Sequence, residues 1–107
     1  MPFDVYDRSL ELVAQLATLV PAIERRDADL AKQLRRTASS VALNIAEARK
    51  RGGKDERYHF RVADGSAAES RACLQVAVAW GHVDAAAAAP TLATLDRLAA
   101  MLFRPTR

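Results

Sequence analysis

The 107-residue sequence has little of several residue types, and each shortage excludes a class of protein. A single cysteine, Cys73, rules out a framework of disulfide bonds and offers no second thiolate for a shared metal. Aromatic residues make up only 6% of the chain, which argues against a β-sandwich. No uncharged apolar run reaches about 18 residues, so no membrane-spanning helix and no membrane partner are expected. Acidic residues precede the first apolar stretch, which argues against a signal peptide, and a reducing, cytoplasmic location is expected.

What the chain has in quantity is small apolar side chains. Half of the residues are hydrophobic, and alanine, the strongest helix former, is the commonest of them. This composition is typical of closely packed helices and argues against disorder. The length is that of one domain, so residues 1–107 are expected to form a single folded unit.

The spacing of apolar residues predicts four helices joined by short connections. Pro21 is expected to end or kink the first helix, Gly52 and Gly53 to stop the second, and Gly81 to follow the third. Because short connections make successive helices antiparallel neighbours, we expect an all-α, up-down four-helix bundle. The predicted helices run from about Val5 to Val20, Asp29 to Lys50, Lys54 to Trp80, and Ala86 or Pro90 to Phe103.

Charge is distributed unevenly along the chain, although the total is only +3. Residues 1–24 carry a net −3, residues 25–61 a net +6, and residues 62–107 balance. A concentrated positive segment points to a polyanionic partner, and with no recognition-helix motif any nucleic-acid contact should be to the backbone and sensitive to salt. The alternative is a solvated helix face with local ion pairs. The candidate nucleic-acid-binding residues are Lys32, Arg35, Arg36, Arg49, Lys50, Arg51, Lys54, Arg57 and Arg61.

The predicted third helix is apolar or small around more than half of its circumference, which is wider than one bundle core requires. The second helix presents a small-residue surface with one outward leucine, Leu43. Both features favour a homo-oligomer whose contacts include Leu43, Phe60, Val62 and Val76. The alternatives are a long helix at the centre of a small core, and a single leucine on a solvated face.

We expect a structural polar network formed by Asn44, Glu47 and Glu69. Glu69 falls within the apolar arc of the third helix, where a carboxylate is costly without a partner. We expect that partner to be Arg35, Arg36 or the Asn44 amide of the second helix.

No constellation of residues supports catalysis. Glu56 and His59 have the spacing of a di-iron ligand pair, but the second such pair is missing, since Ala79 stands three residues before His82. The chain has no P-loop, no Rossmann glycine pattern and no nucleophile elbow at Ser66. We therefore expect a protein that is not an enzyme and that needs no metal or cofactor.

Two segments resemble the signatures of a known family. Residues 33–48, QLRRTASSVALNIAEA, resemble QLRRAASSIxxNIAEG, and residues 58–69, YHFRVADGSAAE, resemble FxxFLxIAxGSxxE. Both signatures belong to the bacterial 23S rRNA intervening sequence proteins, also called the S23 family. Ala48, Arg61 and Val62 depart from the family pattern.

The resemblance implies a four-helix bundle without enzymatic activity. Relatives serve as accessory proteins of diversity-generating retroelements, where they form basic, barrel-like homopentamers that bind nucleic acid and a reverse transcriptase. With the positive middle segment, this predicts an oligomeric, pentameric protein that binds nucleic acid and serves as an adaptor. The alternative is a structural protein–protein interaction module that binds no nucleic acid.

Overall fold

The structure, a computed structural model, describes residues 4–103 and contains four α-helices. No strand occurs in this part of the chain, which confirms the all-α class. The helices are α1 (Val5–Arg26), α2 (Ala28–Lys50), α3 (Gly53–Ala79) and α4 (Ala85–Phe103).

Three aspartates define the ends of α1. The Asp4 side chain accepts hydrogen bonds from the backbone amides of Tyr6 and Asp7, and the Asp7 side chain accepts one from the amide of Asp4. This reciprocal pair satisfies amide groups that have no partner inside the helix. At the other end, Asp27 alone separates α1 from α2, and its side chain accepts from the amide of Leu30 at 3.0 Å.

The first helix is longer than predicted, because Pro21 lies inside it and does not end it. A proline removes the hydrogen bond to the carbonyl four residues earlier and crowds that carbonyl, but the residue that carries it, Ala17, is exposed to water. Val20 and Ile23 on either side are buried, so packing holds the helix together across the proline. Pro90 likewise lies within α4, which begins at Ala85.

The predicted end of α3 is confirmed at Gly81, which has a φ of 78°. The amide of Gly81 donates to the carbonyl of Val78, and the amide of His82 donates to that of Ala77, each at 2.9 Å. These two bonds form a Schellman motif, which favours glycine because its left-handed backbone is strained for other residues.

Each helix packs against the next in the chain, and α1 also packs against α4, so the four helices surround one core. The most extensive contact joins α2 and α3. The predicted core face of α2 is confirmed, with Leu30 at its edge and Leu34, Ala38, Val41, Ile45 and Ala48 buried. None of the described helices is long and apolar enough to cross a membrane.

Candidate nucleic-acid interface

The nine candidate cations divide into two groups along the helix pair. Lys32, Arg35 and Arg36 lie in the first half of α2, whereas the group from Arg49 to Arg61 occupies the end of α2 and the beginning of α3. Arg36 and Arg49 are 13 positions apart, which corresponds to about 20 Å along a helix. The sequence predicted one concentrated segment, and the length of α2 spreads it into two patches.

Three of the nine candidate cations, all of them arginines, are paired with carboxylates. Arg35 contacts Glu24 at 3.0 Å, and Arg49 contacts Asp4 at 2.9 Å, so both pairs join α2 to α1 or its cap. Arg51 lies 3.5 Å from Glu47 and 3.6 Å from an acidic side chain one turn further on. These contacts reduce the positive charge that is available to a partner.

The pKa values of the two carboxylates on the α1 side are lowered in the folded chain. The hydrogen bond from Arg35 lowers the pKa of Glu24 below its ordinary value. The backbone amide of Asp7, with a smaller contribution from Arg49, lowers the pKa of Asp4. Both groups are therefore held in their charged form.

The other six candidates are exposed and form no ion pair with any residue in the range 4–103. Two belong to the first group and four to the second, so each patch keeps positive charge. They are Lys32, Arg36, Lys50, Lys54, Arg57 and Arg61.

An open groove of about 900 Å³ runs between α2 and α3 beside the first group of cations. Its lining combines basic, hydroxyl and amide side chains with two carboxylates, Asp29 and Glu69, and one large apolar residue. The residues that bear on its chemistry are Lys32, Arg36, Ser39, Ser40, Leu43, Asn44, Ser66 and Glu69.

Side-chain hydrogen bonds cross from α2 to α3 along this groove, and we call this set the polar ladder. It accounts for the predicted network only in part, because Asn44 belongs to it while Glu47 pairs with Arg51. As the residue numbers of the bonded side chains rise along α2, the residue numbers of their partners on α3 broadly fall. The four bonded pairs are Gln33–Glu69 (2.9 Å), Thr37–Ser70 (2.8 Å), Ser40–Ser66 (2.8 Å) and Asn44–His59 (2.9 Å).

The expectation for Glu69 was wrong in two respects. Its side chain is exposed and not enclosed by apolar neighbours, and its hydrogen-bond donor is Gln33 in place of Arg35, Arg36 or Asn44. The apolar arc of α3 was predicted for an isolated helix, and it overestimates the burial of Glu69. In the folded chain the edge of α3 at Glu69 borders the open groove.

Sequence reasoning missed His59 as a member of this network. Its signal was the spacing of polar residues, since positions 33, 37, 40 and 44 share one face of α2, and positions 59, 66 and 70 share one face of α3. Matching the two faces requires the register of the helix pair, which spacing alone does not supply.

The four predicted interface residues have different environments. Leu43 is 68% exposed and Val76 is 44% exposed, whereas Val62 is half-buried. Phe60 is buried within the core of the single chain, so its assignment to an oligomer contact is corrected. Its side of α3 faces the other helices of the same chain, where the aromatic ring fills the core.

No group of three potential metal ligands occurs among residues 4–103. His59 makes a hydrogen bond to Asn44, and Cys73 is buried, which raises the pKa of its thiol. Burial and a raised pKa both make a thiol less reactive.

The fold and surface define a class of all-α protein with four packed helices and a patchy basic exterior. The chain belongs to the 23S rRNA-intervening sequence protein family, whose model matches residues 1–104. It is similar in fold to the crystal structure of a protein of unknown function from the S23 ribosomal protein family of Bacteroides thetaiotaomicron. The two share 20% identity with a TM-score of 0.84, over 92% of this chain and 94% of that one. No curated protein matches the chain.

Proposed function

We propose that this protein is a non-enzymatic, homo-oligomeric helical protein that binds the phosphate backbone of nucleic acid through its exposed cations. The observation that carries the proposal is the set of six exposed lysines and arginines without an ion pair in residues 4–103. They lie within the segment of net charge +6. Each cation that neutralises a phosphate releases counterions, which gives affinity without sequence preference.

The separation of the two patches affects how such binding works. Each patch has few cations, so a single chain makes few phosphate contacts and binds weakly. An oligomer repeats both patches and engages one nucleic acid at several points, which multiplies the overall affinity. Oligomerisation and binding are therefore linked in this proposal.

An up-down antiparallel bundle that assembles with further copies is part of the proposal. The opposite order of hydrogen-bonded partners along α2 and α3 supports antiparallel packing of that pair. The exposed Leu43 and Val76 lie on different helices. In a ring, each subunit contacts the next through two different surfaces, and these two residues could belong to such a pair of surfaces. The pentameric number, the adaptor role and a reverse transcriptase partner rest on the family resemblance.

The test is binding of structured RNA and duplex DNA to the purified protein across a salt series. The logarithm of affinity should fall linearly with the logarithm of salt, with a slope of about −0.7 to −0.9 for each phosphate neutralised. Arg57→Glu should weaken binding to all sequences and reduce the slope by about one for each copy in contact.

The matched control is Arg97→Glu, which makes the same change of charge at an exposed position on α4. If the two variants weaken binding equally, only total charge matters and the assigned patch is wrong. Absence of binding at low salt, or binding that is indifferent to salt, overturns the proposal.

A second candidate is a protein–protein interaction module, which the exposed apolar residues favour. Trp80 is 71% exposed and Phe103 is 84% exposed, and single chains rarely leave several such side chains in water. Light scattering separates the two functions, because a strict monomer that binds no nucleic acid fits only the second.

A further inference from the structure

The hydrogen bonds around Asn44 determine which nitrogen of His59 carries the proton. The Asn44 side-chain nitrogen donates to the backbone carbonyl of Ser40 at 2.9 Å, and also lies 3.0 Å from the Ser40 hydroxyl. A carbonyl oxygen can only accept, so the amide nitrogen must face Ser40 and the amide oxygen must face His59. That oxygen lies 2.9 Å from Nδ1 of His59, which must therefore donate.

With its proton on Nδ1, a neutral His59 presents Nε2 as a hydrogen-bond acceptor. Nε2 forms no hydrogen bond with the residues that the structure describes, and it is not enclosed by protein atoms. The half-buried ring thus has one nitrogen fixed by the polar ladder and the other open to a ligand.

His59 does not itself line the α2–α3 groove, but it is bonded to a residue that does, and the groove is suited to a sugar–phosphate chain. Asn44, which holds the ring, also lines the α2–α3 groove, together with the unpaired cations Lys32 and Arg36. Arg36 and Asn44 are eight positions apart, or about 12 Å along α2. Tyr58 is 54% exposed, and its ring meets the His59 ring edge-on with 5.1 Å between centroids.

We infer that the α2–α3 groove binds single-stranded RNA, with Lys32 and Arg36 on phosphates and Nε2 of His59 accepting a hydrogen bond from a ribose 2′-hydroxyl. This inference rests on the proposed function and adds the class of nucleic acid. Ionised phosphates and deoxyribose in the backbone have no proton to donate, so an acceptor nitrogen gains nothing from the backbone of DNA. The 2′-hydroxyl donates, and it is the group by which proteins distinguish RNA from DNA.

The exposed ring of Tyr58 favours a single strand over a duplex. Unstacked bases pack on aromatic side chains, whereas the bases of a duplex are stacked on one another and are not available. In this arrangement the phosphates of the bound strand lie near the cations, a ribose lies near His59, and a base packs on Tyr58.

The test compares two variants of His59 that separate its two nitrogens. His59→Asn keeps an amide near the Nδ1 position, which can still bond to Asn44, but removes the acceptor at Nε2. His59→Gln keeps an acceptor near the Nε2 position. Binding of oligo(A) RNA and of the matching oligo(dA) DNA is measured by fluorescence anisotropy under identical buffer conditions.

The wild type should prefer RNA, and His59→Asn should weaken RNA binding by roughly twofold to tenfold, the contribution of one neutral hydrogen bond, while leaving DNA binding unchanged. His59→Gln should retain the preference. Because His59 contributes to packing, a further variant, Arg36→Glu, changes only an exposed residue. It should weaken RNA binding more than Arg97→Glu, which makes the same change of charge outside the groove.

The failures of the two proposals are distinguishable. Wild-type protein that binds neither oligonucleotide at low salt overturns both. Binding that is sensitive to Arg57→Glu but equal for RNA and DNA overturns only the assignment of His59. Duplex RNA bound as tightly as the single strand overturns the single-strand assignment, and equal binding by all groove variants shows that the groove is not the site.

Discussion

The helix α2 meets its two neighbours in different ways. Towards α1 it uses charged pairs, Arg35 with Glu24 and Arg49 with Asp4, all of them substantially exposed. Towards α3 it uses the polar ladder, whose α2 members are neutral hydroxyl and amide groups and whose one carboxylate, Glu69, accepts from Gln33. The Thr37–Ser70 bond of the ladder is buried. The α1 edge therefore removes positive charge from the surface, whereas the α3 edge leaves Lys32 and Arg36 without a partner in residues 4–103.

This difference shows why net charge alone misjudges a binding surface. The acidic first segment and the basic middle segment partly neutralise each other where they pack. The remaining charge is found beside the polar ladder and at the connection between α2 and α3, where no acidic helix covers it.

We expect the largest effect on stability from a change in the apolar core beneath α2, which lies between its α1 edge and its α3 edge. Leu34 is fully buried, so Leu34→Ala should reduce the free energy of unfolding by about 2–5 kcal/mol through lost burial and a cavity. Urea denaturation measures this. The control is Leu43→Ala on the same helix, whose exposed side chain should cost no more than about 0.5 kcal/mol. Equal losses for the two leucines contradict the assignment of the core face.

A smaller effect tests the α3 edge by itself. Ser70 is fully buried, and its one hydroxyl proton is shared between the Thr37 hydroxyl and the Ser66 carbonyl, so Ser70→Ala should cost about 0.5–1.5 kcal/mol. Because neutral hydrogen bonds in a buried seam are little screened, the loss should be the same in low and high salt. A loss that disappears in high salt shows that the edge depends on charge after all.

The smallest effect concerns the α1 edge, and it depends on pH. The pKa values of Glu24 and Asp4 are lowered in the folded chain, so the stability they contribute is present above their ordinary values of 4.5 and 3.8. It is lost as the pH falls through the lowered values, when both carboxylates become protonated. Glu24→Gln should therefore be slightly less stable than the wild type at pH 7, and the deficit should shrink in acid and in high salt.

Thermal unfolding of the two proteins from pH 7 to about pH 3 measures this deficit. Ser70→Ala provides the comparison, because its deficit should not change over the same range. A Glu24→Gln deficit that stays constant with pH indicates that the pair with Arg35 does not contribute as an ion pair.

Much of the fold follows from local patterns in the sequence. The core face of α2 is set by helical spacing, and the end of α3 by the glycine that a Schellman motif requires. The continuation of α1 past Pro21 was not predicted, because the proline rule considers only the local backbone, while the burial of Ile23 decides whether the helix continues.

The candidate site was less accessible to sequence reasoning. All nine cations could be named, but which of them are neutralised depends on carboxylates such as Glu24 and Asp4, which are brought near by packing. The partner of Glu69 and the role of His59 depend on the register between α2 and α3, for which the sequence has no direct signal.

The corner between α1 and α2 has a consequence for evolution and engineering. Asp27 caps the end of one helix and the beginning of the next, with its amide donating to Ile23 and its carboxylate accepting from Leu30. The connection is only one residue long and cannot accommodate an insertion as a longer loop would. An added residue would therefore turn α2 by about 100° about its own axis. The corner thus fixes the rotational phase of α2, and a single inserted codon would turn its ladder residues into the sector that its core residues now occupy.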